Sequence, residues 1–306
     1  MLAAVSGGPT ASAQGFVTRF TVEAEQYAAL PPSRPSAIGT PRVYSGNAVI
    51  LSVPVGWADA ATASAPITVR IANADWTIPA GEALVRATKA KGGDLDTLRP
   101  DAITYCSVQK EAKTLLRDHI ASIGSSTMLG DFAAWVRICA VDSNADGRFD
   151  KGFVDGAWYP AYIKTVPIAE AAYVQVKGMP IPGASLDILY FAPRLYGPPM
   201  LALDFLPPSG VRQPGFFRFP DNLAPAGVKE SYAAEKEREA KTPPMMNVIL
   251  PVPRSLPRTF TIGNAQLTVQ STDREAKTTV ISIDRDPTFF RFTFHLDING
   301  AYVVSR

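Results

Sequence analysis

The residues best suited to chemistry lie between Val141 and Asp155, in the run VDSNADGRFDKGFVD. Asp142, Asn144 and Asp146 alternate with other residues, Gly147 follows, and Asp150 completes a D-x-N-x-D-G-x-x-D spacing. Hard cations such as calcium collect roughly six to eight oxygens, and alternate residues on a tight turn can aim their side chains at one point. The glycine supplies the sharp turn, and the main-chain carbonyl of Arg148 adds a further oxygen. The competing reading is an Asp/Asn/Gly turn capped by its own side chains, with Arg148 and Lys151 balancing the charge.

This spacing resembles the D-x-[DN]-x-[DN]-G calcium-loop family, over about fifteen residues of the chain. The resemblance implies Asp142, Asn144, Asp146, the Arg148 carbonyl and Asp150 as ligands of a structural Ca2+. In the helix–loop–helix version a bidentate glutamate stands at the twelfth position. Here that position is Phe153, and Asp155 lies two residues beyond, able to substitute only if the chain bends differently. The preceding run, FAAWVRICAV over 132–141, is almost wholly apolar and suits a buried strand. The loop is therefore closer to a hairpin-type site, and its expected role is structural stiffening, not sensing.

A strand that feeds such a loop needs an anchor, and the two cysteines offer one. Cys106 and Cys139 are the only cysteines in the chain, and Cys139 stands three residues before Asp142. In an exported chain two cysteines most simply form one disulfide. The other reading, a nucleophilic cysteine using His119 or His295, needs a spatial meeting that nothing in the sequence suggests. His119 falls on the apolar face of a candidate helix over 108–120, where packing is its ordinary role. Export is suggested by residues 1–13, MLAAVSGGPTASA, which carry no charged side chain and end in Ala-Ser-Ala before Gln14. They read as the remnant of a signal peptide, and the expected location is secreted or periplasmic. No apolar run approaches the ~18 residues of a membrane-spanning helix.

Composition sets the class. Of 306 residues, 46% are hydrophobic and 19% charged, the balance of a folded globular chain. The net charge of +2 is dispersed, with no basic run interleaved with aromatics, so nucleic acid is not an expected partner. Twenty-seven prolines cut the chain into short segments and favour strands over long helices.

The pattern of elements agrees. Phe16–Val22, Val49–Val55 and Ile67–Ile71 read as strands, and WTIPAGEALVR at 76–86 as two strands around a turn. Tyr173–Val176 and Leu186–Tyr190 follow. The last fifty residues hold Thr259–Ile262, Gln266–Gln270, Thr278–Ile283, Phe289–Ile298 and Ala301–Val304, separated mostly by Gly/Asn or Asp/Pro turns. In Phe290–Ile298 the alternation puts Phe290, Phe292, Phe294, Leu296 and Ile298 on one face, with His295 and Asp297 on the other. Helix is expected only at 108–120 and in the charged stretch 229–241. The expected fold is mainly β, an antiparallel sandwich or barrel-like architecture with one or two short helices, as a single domain over 14–306. The proline-rich stretch 206–257 is where it would divide. Irregular strand spacing argues against an outer-membrane barrel.

No G-x-S-x-G elbow, phosphate-binding glycine loop, H-E-x-x-H or paired-cysteine metal motif occurs. The leading expectation is a non-enzymatic, calcium-stabilised binding or structural component of the periplasm or cell envelope, with an envelope component or polysaccharide as partner. The alternative is a secreted, glycoside-active hydrolase, for which Asp94, Asp96, Glu170 and Asp187 are the candidate carboxylates. Phe216, Phe217 and Phe219 suit a sugar groove or ordinary packing. If the Ala-Ser-Ala end is a cleavage site, intact-mass analysis of protein exported from its native gene will place the mature start near Gln14; exported protein that keeps Met1 refutes it.

Overall fold

The computed structural model describes residues 22–23, 26–71, 74–87, 89–90, 92–108, 110–111, 135–156, 164–192, 198–207, 215–218 and 248–296. In chain order the first strands are β1 (Val22–Glu23), β2 (Tyr27–Ala29), β3 (Arg42–Ser45), β4 (Ala48–Ala63), β5 (Ile67–Ile71), β6 (Ala74–Ile78) and β7 (Ala83–Arg86). Next come β8 (Lys89–Ala90), a 3-10 turn at Gly93–Thr97, β9 (Ile103–Ser107), β10 (Lys110–Glu111), β11 (Trp135–Asp142) and β12 (Arg148–Gly156). The remainder are β13 (Val166–Phe191), β14 (Met200–Leu206), β15 (Gly215–Arg218), β16 (Ile249–Pro251), β17 (Arg258–Ile262), β18 (Ala265–Asp273), β19 (Thr278–Arg285) and β20 (Phe290–Leu296). Every pairing between these strands is antiparallel. The expectation of a mainly β, sandwich or barrel-like architecture is met.

Two strands are far longer than their sequences suggest. β4 joins what reads as one short strand to the alanine-rich stretch after it, and β13 runs through both Tyr173–Val176 and Leu186–Tyr190. Their prolines and glycines bend the ladder without ending it: the register between β4 and β13 slips between Pro180 and Ser185 and again at Ile188/Leu189. A bulge absorbs residues that cannot serve a regular ladder.

These long strands belong to two layers of structure at once. Ala60–Thr62 of β4 pairs with β7, β7 with β9, β9 with β11, β11 with β12, β12 with β13, and β13 returns to β4 at Tyr173↔Ala63. The hydrogen-bonded circuit of six strands is therefore closed. Its inward side chains include Ala61, Leu84, Tyr105, Ile138, Ala140, Phe149 and Ala171, and the β5–β6 hairpin adds Ile67, Val69 and Ile78 to the same core. So narrow a barrel is filled by its side chains.

The other halves of β4 and β13 continue the same twelve-stranded sheet, with β15, β20 and β2 on one side and β14 and β16 on the other. A separate sheet, β17-β18-β19-β3, packs on it. One core takes Leu51, Val53, Leu186, Ile188, Leu203 and Phe205 from the first sheet and Leu267, Val269, Ile281 and Ile283 from the second. Phe290, Phe292 and Phe294 are buried there, as their alternation requires. Tyr190 Oη and Thr279 Oγ1 share a buried hydrogen bond of 2.7 Å between the two sheets.

The helix expected over 108–120 is not formed at its start, where Lys110–Glu111 pairs with β11 instead. Residues 112–120, with His119, lie outside the described residues, as do 1–21, 229–241, Phe219, Asp297, Ile298 and 301–304. Among the described residues no helix is long and apolar enough to cross a membrane.

The filled barrel generates a test. Gly152 of β12 faces inward, and an added Cβ would overlap Val69 Cγ2 while meeting Ile168 Cγ2 at 3.2 Å and the Cys139 carbonyl oxygen at 3.3 Å. Gly152→Ala is expected to destabilise by about 1–3 kcal/mol in urea unfolding, the usual cost of overpacking. Pairing it with Val69→Ala should recover part of that loss. A neutral Gly152→Ala would mean that the hairpin does not press into the barrel.

Candidate metal site in the β11–β12 hairpin

The candidate loop is the tip of the β11–β12 hairpin. β11 forms because its alternate residues serve two surfaces: Ile138 and Ala140 face the barrel interior, while Cys139 and Val141 pack outside with Leu95 and Phe153. Cys139 lies directly opposite Cys106 of β9, and the two are joined in a disulfide with a Cα–Cα distance of 4.0 Å. Both are fully buried. The link ties the strand that enters the loop to its neighbour, across a sequence separation of 33 residues. On the chain-entropy model a closure of this length stabilises by about 3.5–4 kcal/mol.

Asp142 ends β11 on the inward side and is completely buried. Its Oδ1 accepts the Asp146 N–H at 3.1 Å, and its Oδ2 accepts the Gly147 N–H and the Tyr173 hydroxyl, each at 2.9 Å. A buried carboxylate is tolerated when its lone pairs are met in this way. Asp150 closes the turn from the other strand, accepting the main-chain N–H of Ser143 at 2.8 Å and its hydroxyl at 2.5 Å. Asp146 accepts the Arg148 N–H at 2.9 Å and the Asn144 amide, also at 2.9 Å. Gly147 holds φ 86°, in the left-handed region that a glycine enters at least cost. Ala145, at φ 60°, holds a similar conformation without that freedom. Arg148 reaches Glu170 at 3.3 Å on an exposed surface, a pair worth little to stability.

Four of the expected ligands, Asp142, Asn144, Asp146 and Asp150, are thus brought onto one turn, with Arg148 at its exit. Asp155 is not. It stands directly opposite Arg137, which is five residues before Asp142 on the neighbouring strand, or roughly 16 Å along it. Asp155 is itself buried and cannot complete the loop's shell. β12 stays in register with β11 from Lys151 to Gly156, so the return towards the loop that this substitution required does not occur. Phe153, at the twelfth position, is fully buried in the core outside the barrel.

The donors suit a hard cation by type, and a carboxylate oxygen that accepts one hydrogen bond has a second lone pair. Yet among the described residues no three Asp, Glu, His or Cys side chains converge closely enough to hold a metal ion. The carboxylates therefore do not form a preformed cage. Drawing the carboxylates together would cost some of the bonds they make to loop N–H groups.

The hydrolase candidates do not gather. Asp94 accepts the Thr165 N–H and Asp96 the Gly92 N–H, at 3.0 and 2.9 Å, so both brace the 3-10 turn. Glu170 meets Arg148. Asp187 is buried far along β13 and takes the hydroxyls of Ser52 and Ser185 at 2.7 and 2.8 Å. Phe217 is packed against Phe292 and Phe294, which makes it core. Tyr173 is the site residue that sequence reasoning misses. Its only signal is its place in a strand; its ring stacks on Phe149 at 4.3 Å, which aims the hydroxyl at Asp142.

Burial first, and then the hydrogen bond to Asp142, push the Tyr173 hydroxyl from 10.0 up to about 12. The folded value exceeds the unfolded one, so the stabilisation is whole below about pH 10 and is lost as pH rises through about 12. Tyr173→Phe is expected to cost about 1.5–3 kcal/mol at neutral pH, the scale of a hydrogen bond to a charged acceptor. It should also remove the latest step from the tyrosinate absorbance titration. Burial raises Tyr44, Tyr105 and Tyr190 as well, so the readout is the difference between wild type and variant. A variant that titrates like wild type would rule out this hydrogen bond.

The chain matches no protein-family model, no curated protein and no solved structure, so this geometry alone carries the functional reading.

Proposed function

We propose that the protein is an exported binding or structural component of the periplasm or cell envelope, without catalytic activity, whose β11–β12 hairpin holds a weakly bound Ca2+. The reading is carried by one observation: four oxygen-bearing side chains share a tight turn at the end of a closed, filled barrel. Asp142, Asn144, Asp146, Asp150 and the Arg148 carbonyl would hold the ion, with water completing the shell. The ion supplies positive charge to a turn rich in carboxylates. The chain supplies everything else, since the buried Asp142 already fixes the Asp146 and Gly147 amides in place. Calcium therefore stiffens a formed turn instead of creating one.

Export is supported by the Ala11-Ser12-Ala13 end and by a disulfide of the kind that persists in oxidising compartments. An envelope partner such as a polysaccharide accords with a rigid β scaffold whose candidate carboxylates are scattered over separate structural roles.

The test is thermal unfolding with calcium, with magnesium and with chelator. Without the twelfth-position glutamate the dissociation constant is expected near the ~10⁻⁴–10⁻³ M of extracellular modules. At about tenfold excess over that constant, linkage gives about 1.4 kcal/mol. Magnesium, which demands tighter octahedral geometry, should substitute poorly. Asp146→Ala should abolish the shift while leaving the chelated protein folded. Absence of any shift at millimolar calcium, or a full shift in Asp146→Ala, would leave the hairpin as a turn closed by its own hydrogen bonds.

A further inference from the structure

At the margin of the sandwich, away from the calcium hairpin, a cavity of about 370 Å³ opens between its two sheets. Pro199, Val252, Pro253 and Leu256 give it apolar walls, from the start of β14 and the segment after β16. Thr272 of β18 and two arginines, Arg254 and Arg274, complete the lining. The arginines come from different sheets: Arg254 follows β16, and Arg274 starts the turn after β18. On the Arg254 side the wall is held in place, since Val252 is buried and its N–H donates to the Pro199 carbonyl at 2.9 Å.

This place brings two arginines to one cavity whose lining holds no carboxylate. Arg70, Arg99, Arg148 and Arg291 each meet a carboxylate. Arg254 and Arg274 have no such partner among the described residues, and no carboxylate lines the cavity. Asp273, beside Arg274 in sequence, is engaged elsewhere, since its Oδ1 accepts the Glu275 and Ala276 N–H groups, each at 2.9 Å. Two guanidinium forks in a mostly polar opening, with proline and leucine side chains beside them, form a recognition surface for an oxyanion carried on a compact body. The cavity has the volume of a small-molecule site.

We infer that this cavity binds an anionic small group, a carboxylate or phosphate, as borne by a sugar acid or present as the free ion. The two guanidinium groups take the oxyanion, the Thr272 hydroxyl contributes a further polar contact, and the proline and leucine side chains pack on the body that carries it. Binding here does not require calcium in the hairpin.

Isothermal titration of the full chain with D-glucuronate, inorganic phosphate and neutral D-glucose tests it. Glucuronate is expected to bind with a millimolar dissociation constant that weakens with added salt, and glucose not to bind. Arg254→Gln and Arg274→Gln should each weaken binding at least fivefold and together abolish it. Both side chains are exposed, so thermal unfolding of these variants should match wild type. Arg34→Gln, at another exposed arginine, should leave binding unchanged. Phosphate bound as tightly as glucuronate supports the site with the free ion as its ligand; phosphate bound more weakly supports it with the sugar acid. Failure of both anions to bind, or equal binding to the double variant, overturns the inference.

Discussion

The antiparallel ladder between β4 and β13 is shared by two cores, and neither core closes without it. Its Asp59–Ala63 end is not simply an extension of the sandwich: Ala60 and Ala61 also pair with β7, so the same stretch of β4 is held on both edges and becomes a barrel stave. Its Leu51–Val53 end lays alternate residues on the smaller sheet. A strand 16 residues long and its 26-residue partner thus carry the load that separate strands divide in simpler sandwiches. The bulges around Pro180–Ser185 let the ladder turn from one curvature to the other without losing its backbone bonds for long.

The hairpin tip shows how a buried charge is accommodated at the edge of such a barrel. Asp142 cannot reach water, and the three donors that meet it come from the turn itself and from β13. Local and long-range structure are thereby joined at one carboxylate. Tyr173, which donates from β13, is also the residue whose strand position seals the barrel against Ala63. Stacking on Phe149 and contact with Tyr105 hold its ring, so the hydroxyl is aimed at Asp142 by packing alone.

Much of this is legible in the sequence, and the parts that are not have physical reasons. From Ile67 to Arg70 β5 matches its alternating pattern, because Ile67 and Val69 enter the barrel core while Thr68 and Arg70 meet water. Phe290, Phe292 and Phe294 face inward for the same reason. The disulfide is readable because the chain has only two cysteines to pair, although the register that sets Cys106 against Cys139 is not. The length of β13 is hidden, since glycine and proline mark turns in a local reading and bulges in a long ladder. Lys110–Glu111 forms β10 because the edge of β11 offers hydrogen bonds that helical periodicity cannot reveal. Proximity along the chain suggests Asp155 as a ligand, whereas pairing with β11 carries it to the far end of the hairpin. The arginine cavity has no local signal at all, being assembled from residues of two sheets.

The ladder between β4 and β13 also orders events in time. Ala63 meets Tyr173 across 110 positions of chain, and Ala48 meets Tyr190 across 142. Closing so large a loop is entropically expensive before it is rewarded, and folds dominated by such distant pairings form in milliseconds to seconds, not microseconds. Until β13 has been synthesised and docked, β4 presents Ile50, Leu51, Val53, Val55 and Trp57 as an apolar strand without its long partner. The nascent chain is most exposed to misassociation during that interval, so its yield should respond more to the rate at which β13 becomes available than to the stability of the finished fold.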